Sequence, residues 1–242
     1  MKFLSLDMLT DVVRKSSGAL RRRIRWPMPG RFQPYNHTSW DRYPWLFRFA
    51  AAYLGNVQDL RILSFGCSRG EEVFSLGNYF PAAAIKGIDI DPRNIASCLA
   101  RARSQPSVGL TFARAATTEG EQTESYDAIF CLAVLCHGDL TTSGAQRCDP
   151  ILRFDDFERI VADFARCLKP GGLLLLHTTS FRFCDTATAE DFDTVLEADP
   201  TQLAPDVLFD RSDRLMKGAR YGAVAFRKRP VGRQAADYTA VN

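Results

Sequence analysis

At 242 residues, 46% of them hydrophobic, the chain has the size and composition of one α/β domain with additions, and no run of about eighteen apolar residues is present to span a bilayer. The N-terminus lacks an uninterrupted apolar core followed by a small-residue cleavage site, so the expected location is the cytoplasm, with peripheral contact to a membrane left open. Seven scattered cysteines without a C-x-x-C pair predict reduced thiols and no structural metal, and the net charge of +3 is uneven, +7 over residues 1–50 and −4 over the rest.

Residues 1–24 have the spacing of an interrupted helix, with Leu4, Met8, Val12 and Val13 apolar and a break at Ser16-Ser17-Gly18. Its basic side chains, Arg14, Lys15 and the cluster Arg21–Arg25, suit an anionic membrane surface or a phosphate group; nucleic acid is the less expected partner. The same residues also read as a solvated arm or a cover over a cleft. Pro27, Pro29 and Gly30 end the segment, and Arg31–Trp45, RFQPYNHTSWDRYPW, is an aromatic-rich loop. Leu46, Phe47, Phe49 and Ala50 then predict a helix over Trp45–Tyr53. The expected organisation is an arm and aromatic lid over 1–57, a sheet domain over 58–230 and a loose tail over 231–242.

The organising stretch is Arg61–Asp91. Ile62, Leu63 and Phe65 form a short strand that stops at Gly66-Cys67-Ser68-Arg69-Gly70, and Glu71-Glu72 opens a helix. Glycines there let backbone amides approach a ligand closely. A second strand over Ala82–Ile88 ends on Asp89, about twenty residues past the turn, where a carboxylate can accept bonds from both ribose hydroxyls. A dinucleotide fingerprint would need a glycine where Ser68 stands and a helix mouth free of acids. Two carboxylates at the mouth disfavour a pyrophosphate and favour a cationic group such as an ammonium or a sulfonium.

Beyond Asp89, Asp91 and Pro92 read as N-cap and first residue of a helix that puts Ile95, Cys98 and Leu99 on the sheet. Leu110–Ala113 is a weak third strand, and Ala128–Val134 an uncharged strand buried on both faces. His137 and Asp139 follow at the carboxyl edge, where ligands of open α/β sheets bind; His137 is a candidate general base or a loop residue that bonds backbone. Thr141–Arg153 reads as an inserted loop, Phe154–Leu168 as a helix packed on the sheet, and Leu173–Leu176 as the fifth strand, with His177 a weaker base candidate at its end. A short acidic helix over Ala189–Leu196 is expected, then two strands, Asp206–Asp210 and Tyr221–Lys228, joined by a basic connection around Arg211–Arg220.

The glycine turn with Asp89, the segment YDAIFCLAVLCH and the turn LKPGGLLLLH together resemble the class I S-adenosylmethionine-dependent methyltransferases over residues 58–180. Within that superfamily GCSRGEE, GIDID and DAIFC are most similar to the chemotaxis-receptor methyltransferases. The resemblance implies a Rossmann-like, doubly wound, seven-stranded, mostly parallel sheet with an antiparallel last strand, plus an N-terminal helical or loop extension. It implies S-adenosylmethionine as cofactor, held by Phe65, Gly66, Cys67, Ser68, Gly70, Glu71, Asp89, Ile90, Cys131 and Leu132. By the same resemblance the segment before the first strand closes over the cofactor, so Tyr35, His37, Asp41 and Arg42 become candidates for the acceptor pocket. Three departures stand out: Ser64 replaces the acid usual near the end of the first strand, Ala115 or Ala116 replaces the Asp that often binds the adenine amino group, and Cys131–Val134 is not the Asn/Asp-Pro-Pro-aromatic tetrad of enzymes that methylate amide or exocyclic nitrogens.

The leading expectation is therefore methyl transfer to an oxygen, less so a nitrogen, of a small or lipid-like acceptor, without a metal. The alternatives are a protein glutamate carboxyl methyltransferase of the chemotaxis type, an inactive cofactor-binding partner protein, and a nicotinamide oxidoreductase, the last disfavoured by Ser68 and the two acids.

Overall fold

Strand β1 (Arg61–Phe65) sends Ile62 to one face of the sheet and Leu63 to the other, as its two-residue period requires. The same alternation runs through β4 (Tyr126–Leu132) and β5 (Leu168–His177), which are buried on both faces at their centres. Together with β2 (Ala84–Asp89), β3 (Leu110–Arg114), β6 (Phe192–Glu197) and β7 (Ala223–Lys228) they form one sheet in the order β3-β2-β1-β4-β5-β7-β6. Every pairing from β3 to β5 is parallel, and β7 runs antiparallel to both of its neighbours. This computed structural model describes residues 32–55, 57–105, 109–203 and 207–230; the helix expected over 1–24, the cluster Arg21–Arg25 and the tail 231–242 lie outside them.

Helices α1 (Pro44–Leu54), α2 (Glu71–Tyr79) and α3 (Pro92–Ser104) cover one face through Leu46, Phe47, Val73, Leu76, Ile95 and Cys98. On the other face lie α4 (Gly138–Ser143) and α5 (Phe154–Cys167), whose Phe157, Val161 and Phe164 are wholly buried at the helical spacing seen in the sequence. Because α1 shares the core of β1 and β4, residues 44–54 pack as a layer on the sheet, with Tyr43 of the preceding loop in the same cluster. Asp91 caps α3, accepting from the Arg93 amide, with Pro92 next.

Two expected elements are different in the structure. Phe192–Glu197 is an edge strand and not part of a helix over Ala189–Leu196; only a 3₁₀ turn occupies Ala187–Asp191. Its apolar residues at 192, 195 and 196 mimic helical spacing, but bulges between Thr194 and Leu196 adjust the register against β7, and Arg227 and Arg229 both pair with Asp193. The strand expected over Asp206–Asp210 is absent where residues are described: Phe209 makes a single bridge to Leu215, and Asp210 Oδ1 accepts the Ser212 and Arg214 amides in a tight turn. The antiparallel pair that closes the sheet is therefore β6 and β7.

Candidate functional site

Strand order reverses between β1 and β4, and at such a switch point the crossovers diverge and leave a crevice at the carboxyl ends of the strands. Its walls are Phe65–Ser68 after β1, Asp89 and Ile90 after β2, Ala115 and Ala116 after β3, and Leu132–Val134 after β4. Its roof is the aromatic loop, including Tyr35, His37, Arg42 and Tyr43. With that loop laid down, the free volume is about 90 Å³, well under the ~300 Å³ at which small-molecule pockets begin. Entry of a nucleoside requires the loop to lift.

The turn after β1 is pinned to β2. Gly66 and Cys67 amides donate to Ile88 O at 2.8 and 2.9 Å, and the Ser68 amide donates to Asp89 Oδ2 at 2.8 Å. Asp89 Oδ1 accepts from the Asp91 amide at 2.8 Å and from Asn94 Nδ2 at 3.0 Å. Asn94 in turn exchanges amide hydrogen bonds with Asn36 of the roof at 3.1 and 3.3 Å, which ties the loop to the Asp89 corner. An ionised carboxylate has about four acceptor sites, so Asp89 keeps capacity for a ligand. Ser68 is left-handed at φ 50°, and its buried Oγ has no partner among the described residues. Strain and an orphaned hydroxyl are features of ligand-binding turns.

Gly66 is held at φ 74°, and a Cβ there would lie 2.5 Å from Val134 Cγ2. Replacing it with alanine combines a left-handed penalty of about 1–2 kcal/mol with an overpacking cost of about 1–3 kcal/mol. Urea unfolding should show Gly66→Ala destabilised by that combined amount, with part of the loss recovered in Gly66→Ala/Val134→Ala because only the clash is relieved. Purely additive effects would show that the close approach does not matter.

The two acids at the helix mouth go opposite ways. Glu71 is buried, points away from the crevice toward Arg101 and Arg69 at 3.5 and 3.9 Å, and does not line it, contrary to its expected place in the cofactor site. Glu72 lines it, and Ser64 Oγ donates to Glu72 Oε1 at 2.7 Å. The acid absent from the end of β1 is thus supplied by the first turn of α2. Burial pushes the Glu72 carboxyl up to about 7, opposed by the Ser64 hydrogen bond and the Arg42 charge.

Other expected site residues divide likewise. Phe65, Gly66, Cys67, Ser68, Asp89, Ile90 and Leu132 line the crevice, whereas Gly70 is the left-handed N-cap of α2 and Cys131 is buried behind the wall. Tyr35, His37 and Arg42 are in the roof, but Asp41 lies outside it and accepts from the Tyr79 hydroxyl at 2.8 Å. His137 also lies outside the lining: it is the N-cap of α4, its Nδ1 accepting from the Asp139 amide at 3.2 Å. Burial lowers its pKa, and with Nδ1 serving as acceptor the neutral ring carries its proton on Nε2, so its single lone pair is engaged by the Asp139 amide. Tyr35 stands between this histidine and the crevice, its hydroxyl bonded to Asp139 Oδ1 at 2.6 Å. Asn94, Asn36 and Tyr43 are not among the site residues that the sequence points to, whereas Glu72 is, as one of two carboxylates at the helix mouth; the missing acid at Ser64 beside two adjacent glutamates was the signal for it.

Residues 63–176 match the profile of a family described as a methyltransferase domain. Over just under half of its length the chain is thus similar to methyltransferase domains. The chain is also similar to solved structures: the YcgJ protein of Bacillus subtilis (17% identity, TM-score 0.43, 55% of this chain and 50% of that one), phosphoethanolamine N-methyltransferase 2 of Haemonchus contortus in complex with S-adenosyl-L-methionine (18%, 0.44, 58% and 29%), and an S-adenosylmethionine-dependent methyltransferase of Mesorhizobium loti (22%, 0.38, 54% and 50%). The chain spans half or less of the length of these structures. No curated protein matches it. The family match is to methyltransferase domains in general and does not extend to the chemotaxis-receptor type.

S-adenosylmethionine is the cofactor of this class of domain, and the crevice residues fit it. Asp89 suits the ribose hydroxyls, the orphaned Ser68 hydroxyl a polar ligand atom, the close backbone at Gly66 the approach of an adenosyl group, and Glu72 a cation. Among the described residues no group of His, Cys, Asp or Glu is arranged to hold a metal, and no helix is long and apolar enough to cross a membrane.

Proposed function

We propose that the chain transfers a methyl group from S-adenosylmethionine to an oxygen of a small or lipid-like acceptor. The observation that carries the methyl-donor half is the joint presence of Asp89 and Glu72 in one crevice at the switch point, one carboxylate suited to the ribose and the other to a cation. The cofactor supplies a methyl already activated by positive sulfur, so the protein's contribution is alignment and exclusion of water. Glu72 orients the cationic end, Asp89 fixes the ribose, and the roof loop shuts solvent out. Ala115 and Ala116 leave the adenine amino group to backbone atoms or to Thr117.

The preference for oxygen is supported by the exit of β4, Cys131-Leu132-Ala133-Val134, which lacks the polar tetrad that seats a flat amine. His137 is assigned a positioning role through its cap on α4. His137→Asn, which keeps a capping side chain, should retain methyl transfer within about tenfold and an unshifted pH profile. A loss of a hundredfold or more with the acidic limb of the profile gone would restore it as the base.

The reading is tested by incubating the protein with methyl-labelled cofactor and either a low-molecular-weight extract, a lipid extract or a protein fraction. Label that enters either of the first two as a base-stable product supports it. Base-labile label on protein would instead indicate carboxyl methylation, and no S-adenosylhomocysteine formed with any fraction would indicate a binding protein without turnover.

A further inference from the structure

A second cavity, of about 370 Å³, opens on the same edge of the sheet, beyond the end of β5. That volume falls in the range of small-molecule sites, ~300–1,000 Å³. Leu176, Leu203, Leu208 and Val224 give it an apolar wall, and His177, Thr178, Thr179, Arg220 and Tyr221 bring polar groups to the rest of its lining. It adjoins the cofactor crevice directly. β4 and β5 are neighbours, with Leu132 opposite His177 and the Ala133 amide donating to His177 O at 2.8 Å; Leu132 and Ala133 line the first cavity, His177 the second. The partition is a pair of rings, Tyr43 from the crevice roof and His177, with centroids 4.7 Å apart. Both strand ends are backbone-strained at the junction, Ala133 at φ 57° and Thr178 at φ 59°, a feature that clusters at functional sites.

Arg220 brings a cation to this cavity and Lys217 precedes it on the same connection; neither is in an ion pair among the described residues. Arg220 is exposed and lines the cavity.

We propose that the second cavity is the acceptor pocket and that its ligand is an apolar molecule bearing an anionic group, carboxylate or phosphate, held at Arg220. This rests on the methyltransferase reading above. The apolar body fills the space between Leu176 and Val224, the anion stays at Arg220, and the nucleophilic oxygen faces the Tyr43–His177 partition. Transfer needs the reacting atoms about 3–3.5 Å apart, so the Tyr43 ring must turn aside when the roof loop lifts. The His177 ring is held by Nε2 donating to Gln202 O at 3.0 Å and Nδ1 accepting from Thr178 Oγ1 at 2.7 Å, and Tyr43, which belongs to the roof loop, is held at its hydroxyl by Thr178.

The test is calorimetric titration of the whole chain with decanoate, decyl phosphate and decyltrimethylammonium, each in the absence and presence of saturating S-adenosylhomocysteine. Saturable binding of the anions and not of the ammonium, retained with S-adenosylhomocysteine bound, is expected, and the tighter anion identifies the headgroup. Arg220→Glu should weaken the anions at least tenfold and Ala219→Trp should fill the cavity and abolish their binding, both with S-adenosylhomocysteine affinity unchanged. Anion binding unaffected by both variants, or displaced by S-adenosylhomocysteine, would overturn the assignment, as would S-adenosylhomocysteine binding with neither anion bound. Anion binding that responds to Arg220→Glu without any S-adenosylhomocysteine binding would instead overturn the methyltransferase reading, and with it the acceptor role of the pocket.

Discussion

Asp89→Ala should weaken S-adenosylmethionine binding by about a hundredfold or more, measured by calorimetry. A hydrogen bond to an ionised group contributes about 1.5–3 kcal/mol; with three of its roughly four acceptor sites taken, Asp89 has room for one from the ribose, and that loss together with the loosened turn reaches the roughly 2.7 kcal/mol of a hundredfold change. The carboxylate also gathers the Ser68 amide, the Asp91 amide and Asn94 Nδ2, so its removal leaves buried donors unpaired and loosens the turn itself. Asp89→Asn separates the two effects. It keeps volume and one acceptor oxygen but sets its NH2 against one of the buried donors, the Ser68 amide when the oxygen stays on Asp91 and Asn94, so its urea midpoint should fall less than that of Asp89→Ala while affinity still drops at least tenfold. Wild-type affinity in Asp89→Ala would remove the ribose role from this residue.

Cofactor affinity is expected to depend on pH through Glu72. In the ligand-free protein burial holds this carboxyl near 7, so below that pH it is largely protonated. A cationic ligand beside it favours the ionised form and lowers the bound-state value, so binding releases a proton. Affinity should therefore fall by about tenfold per pH unit as pH drops below 7, and level off above. Glu72→Gln should flatten that dependence and reduce affinity at pH 8, where the wild type is charged. The stability of the free protein has the opposite trend over this window. A carboxyl whose folded value is raised binds protons more tightly when folded, so its contribution is most favourable below the unfolded value and declines as pH rises to 7. Thermal unfolding of Glu72→Gln should lose that decline. A slope of affinity on pH that survives in Glu72→Gln would assign the proton to another group.

Much of the sheet domain was legible because its signals are local. The run Ile62–Phe65 into glycine, the alternation along β4, the Asp91-Pro92 helix start and the spacing of Phe157, Val161 and Phe164 each specify an element without help from the rest of the chain. The lower half of the chain was less so. At Phe192–Glu197 the pattern of acids and apolar residues fits a helix, and only pairing with β7 and the attraction of Asp193 for Arg227 and Arg229 makes it a strand.

By itself the sequence determined the turn Gly66–Gly70, the acid Asp89 one strand away, and hence a nucleoside-type crevice under an aromatic loop. Which of Glu71 and Glu72 faces that crevice was decided by the tertiary structure, because successive residues on a helix point about 100° apart and the path of α2 over β1 selects one of them. It likewise turned His137 into a cap and put Tyr43 against His177, two residues 134 positions apart in the chain. Contacts across such separations depend on strand order and the packing of layers, which no local pattern of residues encodes.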